Sequence, residues 1–204
     1  MRLMINKKFS IIITTKNRYK LLTEELNCLV DQTYRNFEVI IIDDLSTDET
    51  KSLNIEQYKI YFPINIYHSD MHLNMVKARN KGIQLANKKT DYFVILDDDN
   101  KFDNDYLEKF NIFLNQYPNF GIIGSKNYHL DKKTIWYFGC NYNLSTLLPK
   151  FHRKEFREDY LKVDAVANSF FIKKDLFDKI AYFDPNYVID FSESEYCYRH
   201  RSSA

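Results

Sequence analysis

The sequence has few cysteines and no long apolar run, and each shortage excludes a class of protein. Cys28, Cys140 and Cys197 stand far apart and form neither a CxxC pair nor a zinc-ligand spacing. A reduced, cytoplasmic chain is therefore expected, since disulfide frameworks belong to oxidising compartments. No stretch approaches the roughly 20 apolar residues of a membrane span, and residues 9–14 are too short for a signal-peptide core. A peripheral contact at the inner face of the membrane stays open.

The chain also lacks an excess of either charge. Its 29 basic and 28 acidic residues leave a net charge of +1, which argues against a nucleic-acid partner because such proteins carry a broad basic surface. Hydrophobic residues make up 45% and aromatic residues 16% of the chain, more than a disordered protein contains. There is no repeat, low-complexity tract or linker, so residues 1–204 are expected to form a single domain.

Short apolar runs alternate with amphipathic segments in the first half of the chain, which is the pattern of βα units. Strands are predicted at residues 9–14, 37–42, 64–68 and 92–96, and helices at residues 19–32, 75–86 and 104–116. In the less regular second half, strands are predicted at residues 120–125 and 134–140, one or two strands at 163–172, helices at 174–180 and 192–200, and no period at 141–160. The predicted fold class is α/β, with a mostly parallel central sheet flanked by helices.

Polar side chains end three of the predicted strands, at Thr14 and Thr15, at Asp43 and Asp44, and at Asp97, Asp98 and Asp99. In open α/β sheets, ligands bind beyond the carboxyl ends of the parallel strands. Three consecutive carboxylates repel one another, and a divalent cation removes that cost. Carboxylate oxygens suit Mn²⁺ or Mg²⁺, and a diphosphate would complete the coordination shell. A solvated acidic turn is the alternative, and it stays open.

Some residues near these strand ends allow two interpretations. Asp44 could contact a nucleotide or serve only as a turn residue. Arg79, on a predicted helix, could pair with a nearby acid or present its planar fork to a phosphate. The histidines His68, His72 and His129 show no ligand spacing, and we interpret them as structural or surface residues.

Eight short segments of the sequence stand in a recognisable order. They are residues 10–18 (SIIITTKNR), 31–34 (DQTY), 37–44 (FEVIIIDD), 78–83 (ARNKGI), 92–99 (YFVILDDD), 165–174 (AVANSFFIKK), 183–185 (FDP) and 193–195 (ESE). In this order they closely resemble the family 2 glycosyltransferases over nearly the whole chain. The resemblance implies a GT-A fold, with a nucleotide-sugar-binding half at about residues 1–100 and an acceptor-binding half at about residues 101–204. It also implies inversion at the anomeric carbon of the sugar by a single displacement.

The resemblance further implies roles for residues of the nucleotide-binding half. Thr14 and Lys16 would line the nucleotide pocket, Arg79 would border the nucleotide, and Asp44 would accept a hydrogen bond from the base, with uridine favoured. Thr14 replaces a proline and Lys16 a tyrosine that many family members have, which puts base stacking at these positions in doubt.

The aspartate triplet would be the family's DXD-type site, which binds Mn²⁺ or Mg²⁺. Asp99 is the expected direct ligand and Asp97 the second candidate. Asp97 or Asp98 would otherwise contact the ribose or a metal-bound water.

The catalytic base is expected from the acidic pair upstream of Arg199, at Glu193 or Glu195. A base must reach the acceptor hydroxyl as it attacks, and a carboxylate beside a metal site is suited to this. The alternative is that both glutamates merely favour a helix N-terminus through the helix dipole. The chain ends soon after Arg199, where family members commonly continue, so full acceptor binding is in question.

The predicted function is transfer of a sugar from a nucleotide diphosphate, with UDP favoured, to a glycan or lipid-linked acceptor in surface polysaccharide biosynthesis. The alternative is a non-catalytic or truncated relative that only binds a nucleotide sugar. A nucleotidyltransferase is disfavoured, because no glycine-rich basic loop lies near Thr15. Trp136 and Tyr137 could stack on an acceptor sugar or belong to the core. The basic residues 150–157 could be a solvated loop, a flap over the diphosphate, or a contact with an anionic acceptor or membrane.

Overall fold

The computed structural model describes residues 4–131, 133–143, 145–146, 148–166, 169–188 and 191–202. Its strands are β1 (Phe9–Thr15), β2 (Phe37–Asp43), β3 (Ile64–His68), β4 (Tyr92–Asp97), β5 (Ile122–Gly124), β6 (Asn127–Tyr128), β7 (Ile135–Tyr137), β8 (Cys140–Tyr142), β9 (Pro149–Phe151) and β10 (Phe170–Lys173). Its helices are α1 (Tyr19–Val30), α2 (Met75–Leu85), α3 (Tyr106–Gln116), α4 (Asp175–Ile180) and α5 (Ser192–Ser202). None of these helices is long and apolar enough to cross a membrane.

Six strands form the central sheet in the order β3-β2-β1-β4-β10-β5. The pairs β3-β2, β2-β1 and β1-β4 are parallel, whereas β10 runs antiparallel to both of its neighbours. The chain builds outward from β1 through β2 to β3 and then returns to the other side of β1. The order of strands therefore reverses between β1 and β4, where open α/β sheets bind their ligands.

Alternate residues of the strands enter two cores, one on each face of the sheet. Ile11 and Ile13 pack with leucines of α1 and α3 on one face, while Ile12 packs with Val76 and Ile83 of α2 on the other. Because the central strands are covered on both faces, they read as continuous apolar runs. This explains why the sequence predicts β1, β2 and β4 to within one residue at each end.

The second half departs from the predicted elements. The single strand expected at residues 134–140 is two strands, because Gly139 has φ +137° and turns the chain between β7 and β8. Residues 141–160, where no period was found, contain most of the β8-β9 hairpin. Of the one or two strands expected at 163–172, the described residues form β10 and, before it, an isolated bridge between Ala165 and Cys140. Residues 167 and 168 of the eight-segment pattern lie outside the described part of the chain.

Candidate active site

The polar ends of β1, β2 and β4 meet at one edge of the sheet. Thr15 pairs with Asp43 across β1 and β2, and Thr14 pairs with Asp97 across β1 and β4. The backbone N–H of Asp44 donates to the carbonyl of Thr15 at 2.9 Å, which continues the ladder past the end of β2. The predicted convergence of these strand ends is therefore present in the structure.

Asp98 is the innermost member of the aspartate triplet. Its side chain is only 3% exposed, and it accepts hydrogen bonds from the Thr15 hydroxyl at 2.6 Å and from Arg18 Nη1 at 3.1 Å. Burial raises the pKa of Asp98, and the charges of Asp99 and Asp97 add to the rise. The fold thus holds these carboxylates close together at an unfavourable electrostatic energy, which a bound cation would lower.

Arg18 is the cation that faces the triplet from the solvent side. Its Nη2 lies 2.6 Å from Asp99 Oδ2 while its Nη1 reaches Asp98, and its side chain is 42% exposed. Within the described ranges, no group of three or more His, Cys, Asp or Glu side chains is arranged to hold a metal ion. The donor set still fits Mn²⁺ or Mg²⁺, because hard carboxylate oxygens surround a position that already holds a positive charge.

Arg79 joins the aspartate triplet to the C-terminal helix. Its guanidinium is buried on α2, with Nη2 3.0 Å from Asp97 Oδ1 and Nη1 hydrogen-bonded to Glu193 Oε1. Among the described residues, its Nε has no partner. Of the two interpretations of Arg79, the structure places it in ion pairs with acids, and two acids share it.

The two candidate bases have different surroundings. Glu193 is 18% exposed, with one oxygen on Arg79 and the other accepting from the Ser192 hydroxyl at 3.0 Å. Glu195 instead binds Arg199 through both oxygens, and Arg199 also donates to the carbonyl of Tyr182 at 2.9 Å. Glu195 therefore fastens α5 to the segment after α4, whereas Glu193 faces the aspartates.

The strand-end residues at the nucleotide side lie next to a histidine. One oxygen of Asp44 accepts from the backbone N–H of Leu73 at 2.5 Å, and the other lies 2.7 Å from His72 Nδ1. Lys16 Nζ is 3.2 Å from the same ring nitrogen. Asp44, Lys16 and His72 thus form one cluster, and Thr14 is half-buried on the neighbouring strand.

Comparison with known proteins shows the family of the chain. Residues 10–181 match the family model described as Glycosyl transferase family 2. The chain belongs to that family. It is similar to the amylovoran biosynthesis glycosyltransferase AmsB of Erwinia amylovora, with 38% identity over 103 residues, covering 50% of this chain and 34% of the relative.

Two solved structures share the fold of this family 2 member. S. aureus TarS 1-349 in complex with UDP has a TM-score of 0.69 at 19% identity, covering 93% of this chain and 54% of that chain. GalNAc-T7 with UDP, GalNAc and Mn²⁺ has a TM-score of 0.71 at 16% identity, covering 94% of this chain and 39% of that chain. These likenesses confirm the α/β, GT-A-type fold. The chain spans between about a third and about half of the length of these proteins.

One large cavity of this family 2 chain lies away from the aspartates. A space of about 740 Å³ lies beside β5, between α3 and α5, and is lined by aromatic rings such as Phe113, Phe138 and Tyr160. It shares no residue with the predicted site. Its lining includes Asp159 and Asp164 but none of the aspartate triplet and neither Glu193 nor Glu195, so we place the candidate site at the strand ends instead.

Sequence reasoning missed two residues that contact the candidate site. Arg18 belongs to the first of the eight segments, yet nothing in its spacing indicated that it reaches carboxylates about eighty residues later. His72, interpreted as a structural or surface residue, is exposed and in addition contacts Asp44. Both contacts depend on loops that follow different strands, and one sequence contains no signal for them.

Proposed function

We propose that this chain is the catalytic part of an inverting, metal-dependent glycosyltransferase that uses a UDP-sugar donor and a saccharide acceptor in polysaccharide biosynthesis. Family membership and a relative named for amylovoran biosynthesis support the reaction class. Neighbours solved with UDP, and in one case with Mn²⁺, support the donor and the metal. We assign donor binding to about residues 1–100 and acceptor binding to about residues 101–204.

The observation that carries the proposal is the shared guanidinium of Arg79. It holds Asp97, from the proposed donor site, and Glu193, the proposed base, on the two nitrogens of one buried fork. A planar fork of this kind fixes the relative position of two carboxylates. The acceptor oxygen and the sugar would therefore meet between these two acids.

In the proposed reaction, an acceptor hydroxyl attacks the anomeric carbon as the bond from that carbon to the diphosphate oxygen breaks. The bonding electron pair leaves on the diphosphate, and Glu193 takes the hydroxyl proton. A divalent cation held by Asp99 and Asp97 would offset the charge that grows on the diphosphate. Asp44 would accept from the uracil N–H, and Thr14, Lys16 and Asp98 would line the nucleotide side.

The test compares Glu193→Gln with the matched variant Glu195→Gln. With a panel of UDP-sugars and Mn²⁺, Glu193→Gln should lower kcat by about 10²–10⁴-fold, the usual contribution of a general base, while UDP binding by calorimetry is kept. Glu195→Gln should lower the melting temperature and leave kcat within about tenfold, because the carboxylate of Glu195 is held by Arg199 and not by Arg79. The reverse order of effects would transfer the base to Glu195.

A second variant tests the metal. Asp99→Asn should remove the extra thermal stabilisation that UDP gains from Mn²⁺, because a ligand that binds only the folded state raises its apparent stability. Equal stabilisation of both proteins would refute a metal role for Asp99. If no UDP-sugar or UDP stabilises the wild-type protein at all, the proposed function is wrong.

One observation favours a second candidate, a nucleotide-sugar-binding protein without turnover. Both oxygens of Glu193 accept hydrogen bonds from protein groups, Arg79 and Ser192, and the ion pair with Arg79 favours the ionised carboxylate over the protonated form. This candidate predicts UDP-sugar binding with no UDP release in the wild type. Under the leading proposal, the entering acceptor replaces Ser192 at the outer oxygen.

A further inference from the structure

A line of aromatic and basic side chains leads away from Glu193. Tyr137 of β7 is half-buried, and its pKa is raised to about 12 by burial, with smaller contributions from the charges of Glu193 and Asp97. The Phe151 ring meets the Tyr137 ring edge-on, with centroids 5.6 Å apart. The Arg153 guanidinium lies over the Phe151 ring, 5.7 Å from its centroid. We call Tyr137, Phe151 and Arg153 the acceptor strip.

A hydrogen bond from β8 to α5 holds the strip near the proposed base. The Tyr142 hydroxyl of β8 donates to Ser194 Oγ at 2.9 Å, and Ser194 is the residue that follows Glu193 on α5. Since β8 pairs with β9, this bond holds the hairpin that carries Phe151 against the helix that carries Glu193. The bond between Tyr142 and Ser194 therefore holds the strip near the proposed base.

The outer end of the strip carries basic side chains that are not in ion pairs with other described residues. The side chains of Lys150, Arg153, Lys154 and Arg157 are exposed, and none forms an ion pair with another described residue. Two of the three acids in this segment are engaged elsewhere, since Glu155 binds Lys126 at 2.5 Å and Asp159 accepts from the Tyr117 hydroxyl at 2.5 Å. The third, Glu158, is exposed beside Arg157, so the four basic side chains still outnumber it. An arginine stacked on a ring keeps its donor edge free for an anion.

We propose that the acceptor strip binds a saccharide that carries phosphate or carboxylate groups, with a sugar ring on Phe151 and the anionic group on Arg153. Sugar rings present apolar C–H faces that pack on aromatic rings, and a guanidinium matches the two oxygens of phosphate or carboxylate. The proposal rests on the proposed function, because Glu193 decides which end of the bound chain reacts.

An anionic membrane surface fits the same charges less well. A bilayer would need the side chains to project from one exposed face, whereas Tyr137 is half-buried beside Asp97 and Glu193. Those two carboxylates would repel anionic headgroups at the inner end of the strip. A chain with one anionic group several atoms away from its reacting hydroxyl meets both ends of the strip favourably.

The test uses the protein's only tryptophan, Trp136, whose ring centroid lies 4.8 Å from that of Tyr137. Trp136 emission is titrated at low salt, without donor, with three oligosaccharide-sized probes: a glycerol phosphate oligomer, an oligogalacturonate and neutral maltohexaose. Both anionic probes should bind more tightly than maltohexaose. Arg153→Ala should weaken them by about tenfold, the effect of losing one charged hydrogen bond, and leave maltohexaose unchanged. Arg153→Lys should keep part of the preference.

The matched control is Arg35→Ala, which removes the same charge from an exposed arginine just before β2, a strand of the central sheet and not of the β8-β9 hairpin. It should not alter the preference for anionic probes. Equal binding of anionic and neutral probes, or an equal loss in both variants, would overturn the proposal. So would Arg153-dependent sedimentation with phosphatidylglycerol vesicles in the absence of any saccharide preference. Because no donor is present, a failure here leaves UDP-sugar turnover, the readout of the proposed function, untouched.

Discussion

Replacement of Glu25 by leucine should stabilise the protein. Glu25 lies on the inner face of α1 and is 1% exposed, and neither carboxyl oxygen has a hydrogen-bond partner among the described residues. Burial raises the pKa of Glu25 well above its ordinary value of 4.5, and the charges of Asp98, Asp97 and Asp99 raise it further. The fold therefore holds an acid that neither water nor protein solvates.

The size of the gain follows from the unsatisfied group. A buried polar group without a partner costs about 1–3 kcal/mol, and leucine fills a similar volume with apolar atoms. A gain of about 2 kcal/mol in the free energy of unfolding raises the melting temperature of a chain of this length by about 4–8 °C. Urea unfolding at pH 5 and pH 8 measures both the gain and its dependence on pH.

The sign of the pH dependence is fixed by the direction of the pKa change. As pH rises above 4.5, the unfolded chain releases the Glu25 proton before the folded protein does, so Glu25 makes the wild type less stable with rising pH. Leucine has no proton to lose, so its advantage should be larger at pH 8 than at pH 5. The control Glu25→Gln keeps the polar group and removes only the pH-dependent part. A leucine variant that is less stable, or an advantage that is equal at both pH values, would refute the reasoning.

Two further substitutions test other parts of the structure. His72→Ala should tighten UDP binding several-fold in calorimetry, because the ring occupies an Asp44 oxygen that the base is proposed to use; unchanged or weaker binding would exclude this competition. Gly82→Ala should lower the free energy of unfolding by about 1–3 kcal/mol, as overpacking does, because a Cβ there collides with Ile12. Gln84→Ala, exposed on the same helix, is the control, and an equal loss in both would show that Ile12 is not the cause.

Sequence alone predicted the elements whose surroundings are uniform. The central strands are apolar on both faces, so β2 could be read from its composition without knowing its neighbours. The sequences of the short strands β6 to β9 show no such apolar pattern, because each strand has only two or three residues and is partly or fully exposed. Their ends depend on turns such as the one at Gly139, and on tertiary pairing that the local pattern does not encode.

The candidate site divides in the same way. The acids at the strand ends were predictable, because the edge where parallel strands finish is common to all of them. The distinction between Glu193 and Glu195 was not, because two residues of helix turn one carboxylate toward Arg79 and the other toward Arg199. The sequence favours Glu193 only through the resemblance to the family, and the packing of α5 shows which arginine each glutamate contacts.

The two arginines that pair with the aspartates differ in the free energy that is lost when the pair is broken. Arg18 is 42% exposed, and an ion pair in such a position contributes only about 0–1 kcal/mol. Arg79 is 2% exposed, and loss of one partner from a buried pair costs about 3–5 kcal/mol because the other charge is left without compensation. A metal and a diphosphate arriving from solvent would therefore displace Arg18 and leave Arg79 in place. The guanidinium that links Asp97 to Glu193 is thus the fixed part of the site, and the one between Asp98 and Asp99 is the exchangeable part.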